Sequence, residues 1–121
     1  MSRDISNQYM SKLIDSLHSD YDKWTMKERG GLSDGGSWME YRSPVYTNDK
    51  GKKIVFVRSW GDHEFIGAFV NGSLLWELSW TQWYNIFSSQ TRRMWTGYRK
   101  MKRRCLEKEN ACIERELKDS L

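Results

Sequence analysis

Residues 53–80 read KIVFVRSWGDHEFIGAFVNGSLLWELSW, and the alternation within them sets the fold class. Over 53–60, Ile54, Phe56, Arg58 and Trp60 fall on one face and Val55 and Val57 on the other. That two-residue period is the signature of a β-strand. Gly61-Asp62-His63 reads as a short turn, and 64–70 as the next strand. Asn71-Gly72 follows, two residues that both tolerate positive φ, and it predicts a tight hairpin. In 73–80, Leu74, Trp76, Leu78 and Trp80 face one way. Upstream, 38–47 is also β-like, although Pro44 lacks a backbone donor and marks an edge strand or a bulge. Asn48-Asp49-Lys50-Gly51 is a turn. An antiparallel meander of three or four strands is expected within 38–80.

Outside this stretch the period becomes helical. Ile5, Tyr9, Leu13 and Leu17 recur every four residues, and Met10, Ile14, Tyr21 and Trp24 widen the stripe. A first helix is therefore expected over 4–25, capped by Asp4 or Ser6, with one buried side. The two Gly-Gly pairs between Arg29 and Gly36 predict a connector; their spacing matches no named phosphate loop. From Thr81 onward, Trp83, Phe87, Met94, Tyr98, Met101, Cys105 and Cys112 follow a three/four spacing, with Leu106, Ile113 and Leu117 beside them. No proline interrupts 81–119, and one helix of that length would span about 58 Å. A chain of this size has a radius of gyration near ~14 Å. The helix must either break near Gly97 or project from the body, and a projecting apolar stripe calls for a partner helix, hence a homo-oligomer. The fold class is α+β in a single domain: helix 1–26, sheet 38–80, long helix 81–119.

The 121 residues include 7 Trp, 6 Tyr and 4 Phe, enough burial for a packed core and a share of rings that exceeds what a small core easily hides. No run of about 18 apolar residues could span a membrane, and residues 1–7 lack the apolar core of a signal peptide. Cys105 and Cys112 lie seven apart on a helical stretch, about 10 Å, too far for a disulfide. Two free thiols fit a reducing compartment, and a cytoplasmic location is expected.

Charge is distributed unevenly. Residues 1–77 carry 10 Lys/Arg against 11 Asp/Glu, residues 78–106 carry 7 and none, and residues 107–121 carry 3 and 5. The excess of +4 thus originates in one segment, Arg92-Arg93-Met94-Trp95-Thr96-Gly97-Tyr98-Arg99-Lys100-Met101-Lys102-Arg103-Arg104. On a helix, Arg92, Arg99 and Arg103 share a face, Arg93, Lys100 and Arg104 repeat the spacing one position round, and Trp95, Lys102 and Leu106 form a neighbouring strip. Guanidinium forks grip phosphate, and rings such as Trp95 and Tyr98 can stack on bases. An anionic ligand, nucleotide or nucleic acid, or an acidic protein surface is the expected partner. Trp76, Trp80, Trp83 and Tyr84 cluster at the strand-to-helix junction; Trp76 and Trp80 read as core, while one of the adjacent pair Trp83 and Tyr84 should point outward as a further stacking ring. The sequence Asp62-His63-Glu64 reads as an ordinary polar turn. No nucleophile, phosphate-loop or zinc spacing is present, so no catalysis, cofactor or metal is expected.

Short length, abundant Trp and Tyr, and the stretches Lys12-Leu13-Ile14-Asp15-Ser16-Leu17 and Asp22-Lys23-Trp24 give the chain a character that resembles the small accessory proteins of tailed bacteriophages. That resemblance implies a stoichiometric inhibitor of host defence, working in the host cytoplasm, that sequesters a nucleotide signal or occludes a nucleic-acid-handling host protein. A single-stranded nucleic-acid binder and a pure protein–protein module are the alternatives.

Overall fold

The computed structural model describes residues 2–30, 37–61, 64–85 and 87–121. Its first element, α1 (Arg3–Ser19), is capped by Ser2, whose hydroxyl accepts from the Ile5 amide. Ser2 takes the place expected of Asp4 or Ser6. The helix buries Met10, Leu13, Ile14 and Leu17. It stops at Ser19, earlier than its periodicity suggests: the Asp20 amide still bonds back to the Ser16 carbonyl, and a short 3₁₀ turn, Tyr21–Lys23, then redirects the chain. Trp24 therefore enters the core from this turn, 1% exposed, with its indole Nε1 donating to Ser16 Oγ.

The sheet is antiparallel and larger than expected. It has six strands, β1 (Thr25–Gly30), β2 (Ser37–Arg42), β3 (Tyr46–Thr47), β4 (Lys53–Gly61), β5 (Phe65–Val70) and β6 (Ser73–Glu77). Their order is β1-β2-β4-β5-β6, with β3 beside the start of β4. β2 and β3 are one lane interrupted at Pro44, where Ser43 keeps the pairing by bonding to Phe56 through its own amide and through its hydroxyl. The hairpin at Asn71-Gly72 is formed as expected, with φ of 50° and 86°. β1 pairs with β2 from Thr25↔Arg42 to Gly30↔Ser37. The glycine-rich connector between them lies outside the described residues. On β6 a register shift opposite Ala68/Phe69 places Leu74 and Leu75 on the surface, 41% and 57% exposed. Trp76 and Leu78 stay inside.

After the sheet, a single-turn helix α2 (Trp80–Trp83) precedes α3 (Ser89–Asp119). The helical segment thus interrupts between Trp83 and Ser89, and α3 runs without a break through Gly97. Ser88 caps it by accepting from the Thr91 amide. Gly97 faces α1: a Cβ there would come within 2.8 Å of Leu17 Cβ and 2.9 Å of the His18 ring. The two helices pack on each other and on one face of the sheet, with Tyr9 stacked on Trp76 (5.7 Å) and Tyr98 edge-on to Tyr41 (5.8 Å). The last buried residue of α3 is Cys105; every residue from 106 to 121 is exposed. The helix projects, which is one of the two outcomes its length demanded. Both cysteines are free thiols, Cys105 buried and Cys112 exposed. Among the described residues, no helix is long and apolar enough to cross a membrane.

Candidate anion-binding face

The first half of α3 sorts its side chains by helical position. Thr91, Met94, Gly97, Tyr98, Met101 and Cys105 point into the core. The basic residues consequently fall on the two flanks and on the outward side.

One flank is tied to the N-terminal region. Lys100 Nζ donates to the His18 carbonyl (3.1 Å) and lies 4.3 Å from the Tyr21 ring centroid. His18 Nε2 donates to the Arg93 carbonyl (2.8 Å). Arg104 Nε donates to the Asp22 carboxylate, Lys108 sits 3.5 Å from the same carboxylate, and Arg104 also reaches Glu107. The hydrogen bond from Arg104 holds the Asp22 carboxyl below the usual carboxylate range. Lys100 and Arg104 are therefore clamps within the fold.

The other flank and the inner side form a ring cluster around a residue that sequence reasoning assigned only to a strand face, Arg58. Arg58 is 4% exposed. Its guanidinium carbon lies 4.6 Å from the Trp83 ring centroid, 5.4 Å from Tyr98 and 5.6 Å from Trp95. Nη2 donates to Glu64 (3.0 Å) and Nη1 to the Ser59 carbonyl (3.0 Å). The rings meet edge to face, Trp83 with Trp95 at 6.0 Å and Trp95 with Tyr98 at 5.6 Å. The Trp95 indole donates to the Trp83 carbonyl (3.0 Å). A buried cation needs a counter-charge and π faces in place of water, and this cluster supplies both. Tyr98 is 8% exposed, so it has no open face for a base; burial also raises its phenol pKa. The sequence signal was present, an arginine at an inward position of an alternating strand, but its ring partners come from residues 83–98.

Of the two adjacent candidates, Trp83 is buried and Tyr84 exposed. Lys102 lies 5.5 Å from the ring centroid of the exposed Trp60. Arg92, Arg93, Arg99 and Arg103 are exposed. Among the described residues, Arg93, Arg99 and Arg103 have no carboxylate within ion-pair reach. Among the described residues, the hydrogen bond of the Arg99 guanidinium is a long one to the Thr96 hydroxyl, at 3.5 Å. The structure thus separates the thirteen-residue basic stretch into clamps, a ring cluster and an outward cationic face.

A cavity elsewhere has different chemistry. About 300 Å³ in volume, it opens between α1 and β3, beside Asp15, Asp20 and Tyr46. The Tyr46 hydroxyl donates to Asp20 and shares a hydrogen bond with Ser16, and burial pushes its pKa up to about 12. Two carboxylates against one cation, Lys12, make it a poor anion site. Asp62 and His63 lie outside the described residues, and Glu64 is engaged by Arg58. Among the described residues, no group of three His, Cys, Asp or Glu side chains converges as metal ligands would. Compared with protein-family models, curated proteins and solved structures, the chain matches none of them.

Proposed function

We propose that this chain is a non-catalytic binding protein whose outward α3 face, Arg92, Arg93, Arg99 and Arg103, lies along the phosphate backbone of nucleic acid. The observation that carries the reading is the exposure of Arg93, Arg99 and Arg103, without carboxylate partners among the described residues, on a helix where Lys100 and Arg104 are tied into the fold. A shallow hollow of about 350 Å³ at the edge of this face, open to solvent, sets Arg103 beside Tyr21, Lys100, Arg104 and Glu107. An enclosed nucleotide is held by a pocket that covers most of its surface, whereas a backbone is held at separate points along a line. With Tyr98 buried and Trp95 bonded to the Trp83 carbonyl, grip falls to the guanidinium groups, and sequence preference should be slight. In the manner of the phage accessory proteins it resembles, the chain would act stoichiometrically, covering nucleic acid that a host defence protein must handle.

Fluorescence anisotropy with a labelled single-stranded oligonucleotide tests this. Three or four neutralised phosphates give a slope of log K against log salt of about −2 to −3. Combined Arg99→Glu and Arg103→Glu should weaken binding by about 100-fold, because two charge-assisted hydrogen bonds to phosphate are removed. The unfolding midpoint should not move. Failure to bind at low salt, or binding indifferent to the double reversal, would refute the reading. A second reading, a protein–protein module, is favoured by one observation: the bare half of α3 beyond Cys105 carries exposed Leu106, Ile113 and Leu117.

A further inference from the structure

The distal half of α3 has an apolar strip and a charge pattern that fit one partner in particular. Leu106, Ile113 and Leu117 are 42%, 48% and 64% exposed and follow a seven/four spacing. One turn before Leu106, Lys102 lies against Trp60, itself 54% exposed, so the strip continues onto the end of β4. Along the same helix, residues 92–104 carry seven cations and no acid, and residues 107–121 carry five acids and three cations. That order is the reverse of what a helix macrodipole favours, since acids belong near the N-terminus and cations near the C-terminus. Within one copy the described offsets are Asp22 against Arg104 and Lys108 and surface pairs such as Glu114–Lys118 (3.5 Å, both mostly exposed), which contribute little.

We infer that the distal half of α3 pairs antiparallel with the same segment of a second copy. A parallel pair would set the cations of 99–104 against their own images. An antiparallel pair sets them against the acids of 114–119. With the two-fold axis near Glu109, Leu106 meets Ile113 of the other copy, and Leu117 reaches the Lys102 stem and Trp60. On the flanks, Arg103 faces Glu114 of the other copy, and Lys102 faces its Glu116. One register therefore satisfies the apolar strip and these flank pairs together, and leaves one like-charge contact, Glu109 with its own image at the axis. The interface is isologous and closes on itself. It is also small, three aliphatic side chains and one indole from each copy, which makes it a weak dimer. This deepens the protein–protein reading; it shares Arg103 with the anion face, so Arg93 and Arg99 are the positions that separate the two.

Sedimentation velocity on the full chain, without nucleic acid, from about 1 µM to about 500 µM covers the range of a weak interface. The mass should rise with concentration from 14.5 kDa towards twice that value. Two variants carry the charge test: K102E with R103E, and E114K with E116K, all surface positions. Each alone should remain monomeric over the range, and an equimolar mixture should form a 1:1 complex, because the facing positions 102, 103, 114 and 116 are then all acidic in one variant and all basic in the other. Arg93→Glu, which bears only on the anion face, should leave the dimer intact. Wild-type protein that is monomeric at the highest concentration, reversed variants that still dimerise alone, or a mixture that forms no complex would each overturn the inference.

Discussion

The inward and outward sides of α3 both carry arginine, yet they treat a cation in opposite ways. On the inward side Arg58 is held among Trp83, Trp95 and Tyr98 and paired with Glu64, while on the outward side Arg99 and Arg103 face solvent with no described carboxylate in reach. A buried cation is costly to disturb because its neighbours have been arranged in place of water. An exposed one can be removed with little effect on the fold, which leaves it available for a ligand. Within the basic stretch Lys100 and Arg104 are likewise held while Arg99 and Arg103 are open, so its charge excess is not one surface.

The largest expected contrast is at the arginines themselves. Arg58→Ala leaves Glu64 without its partner and a void among three rings, and should cost about 3–4 kcal/mol in urea unfolding. Arg103→Ala should stay within about 0.5 kcal/mol. Equal costs at the two positions would erase the distinction between held and available cations. The next contrast runs along the helix rather than around it. Met101 is 0% exposed and Leu117 64%. Met101→Ala should cost about 3 kcal/mol by cavity formation, whereas Leu117→Ala at low protein concentration should be close to neutral.

A smaller effect is expected at Gly97. Alanine is the better helix former by about 1 kcal/mol, but its methyl would collide with Leu17 and the His18 ring. Overpacking should win, for a net loss of about 1–2 kcal/mol. A stabilised Gly97→Ala variant would mean that α1 and α3 pack less closely than described. The smallest effect concerns the clamp at Asp22. Its folded-state pKa is lowered, chiefly by the hydrogen bond from Arg104, from an ordinary value of 3.8. The contribution is therefore present above pH 3.8 and lost as pH falls through the lower folded value. Asp22→Asn should flatten the acid limb of the stability profile slightly and leave neutral-pH binding of nucleic acid unchanged.

Much of the fold could be read from local pattern. The alternation around Phe56, the Asn71-Gly72 turn and the stripe through Leu13 and Leu17 each depend on residues close in sequence, and each appears where expected. β1 could not be read this way. Thr25–Gly30 carries Lys27, Glu28 and Arg29, and only Met26 packs against the core. An edge strand of that composition owes its form to pairing with β2, which no local period reveals. The start of α3 was missed for a related reason, because Ser88 caps a helix whose periodicity runs on from Thr81. The candidate site divides likewise. The helical wheel places Arg92, Arg99 and Arg103 on one face, as found. Which cations are already held is decided by partners as far off as Asp22, 82 residues from Arg104.

If the outward arginines, and not the ring cluster, meet the anion, the two sides of α3 must respond differently to a ligand. Titrating isotope-labelled protein with a single-stranded oligonucleotide while following arginine side-chain and tryptophan indole resonances reads both sides of the helix in one experiment. Shifts are expected at Arg93, Arg99 and Arg103 that saturate with ligand and reverse with salt, while the Trp83 and Trp95 indole signals stay in place. Movement of the indole signals with the arginines unmoved would contradict the assignment of anion binding to the outward face.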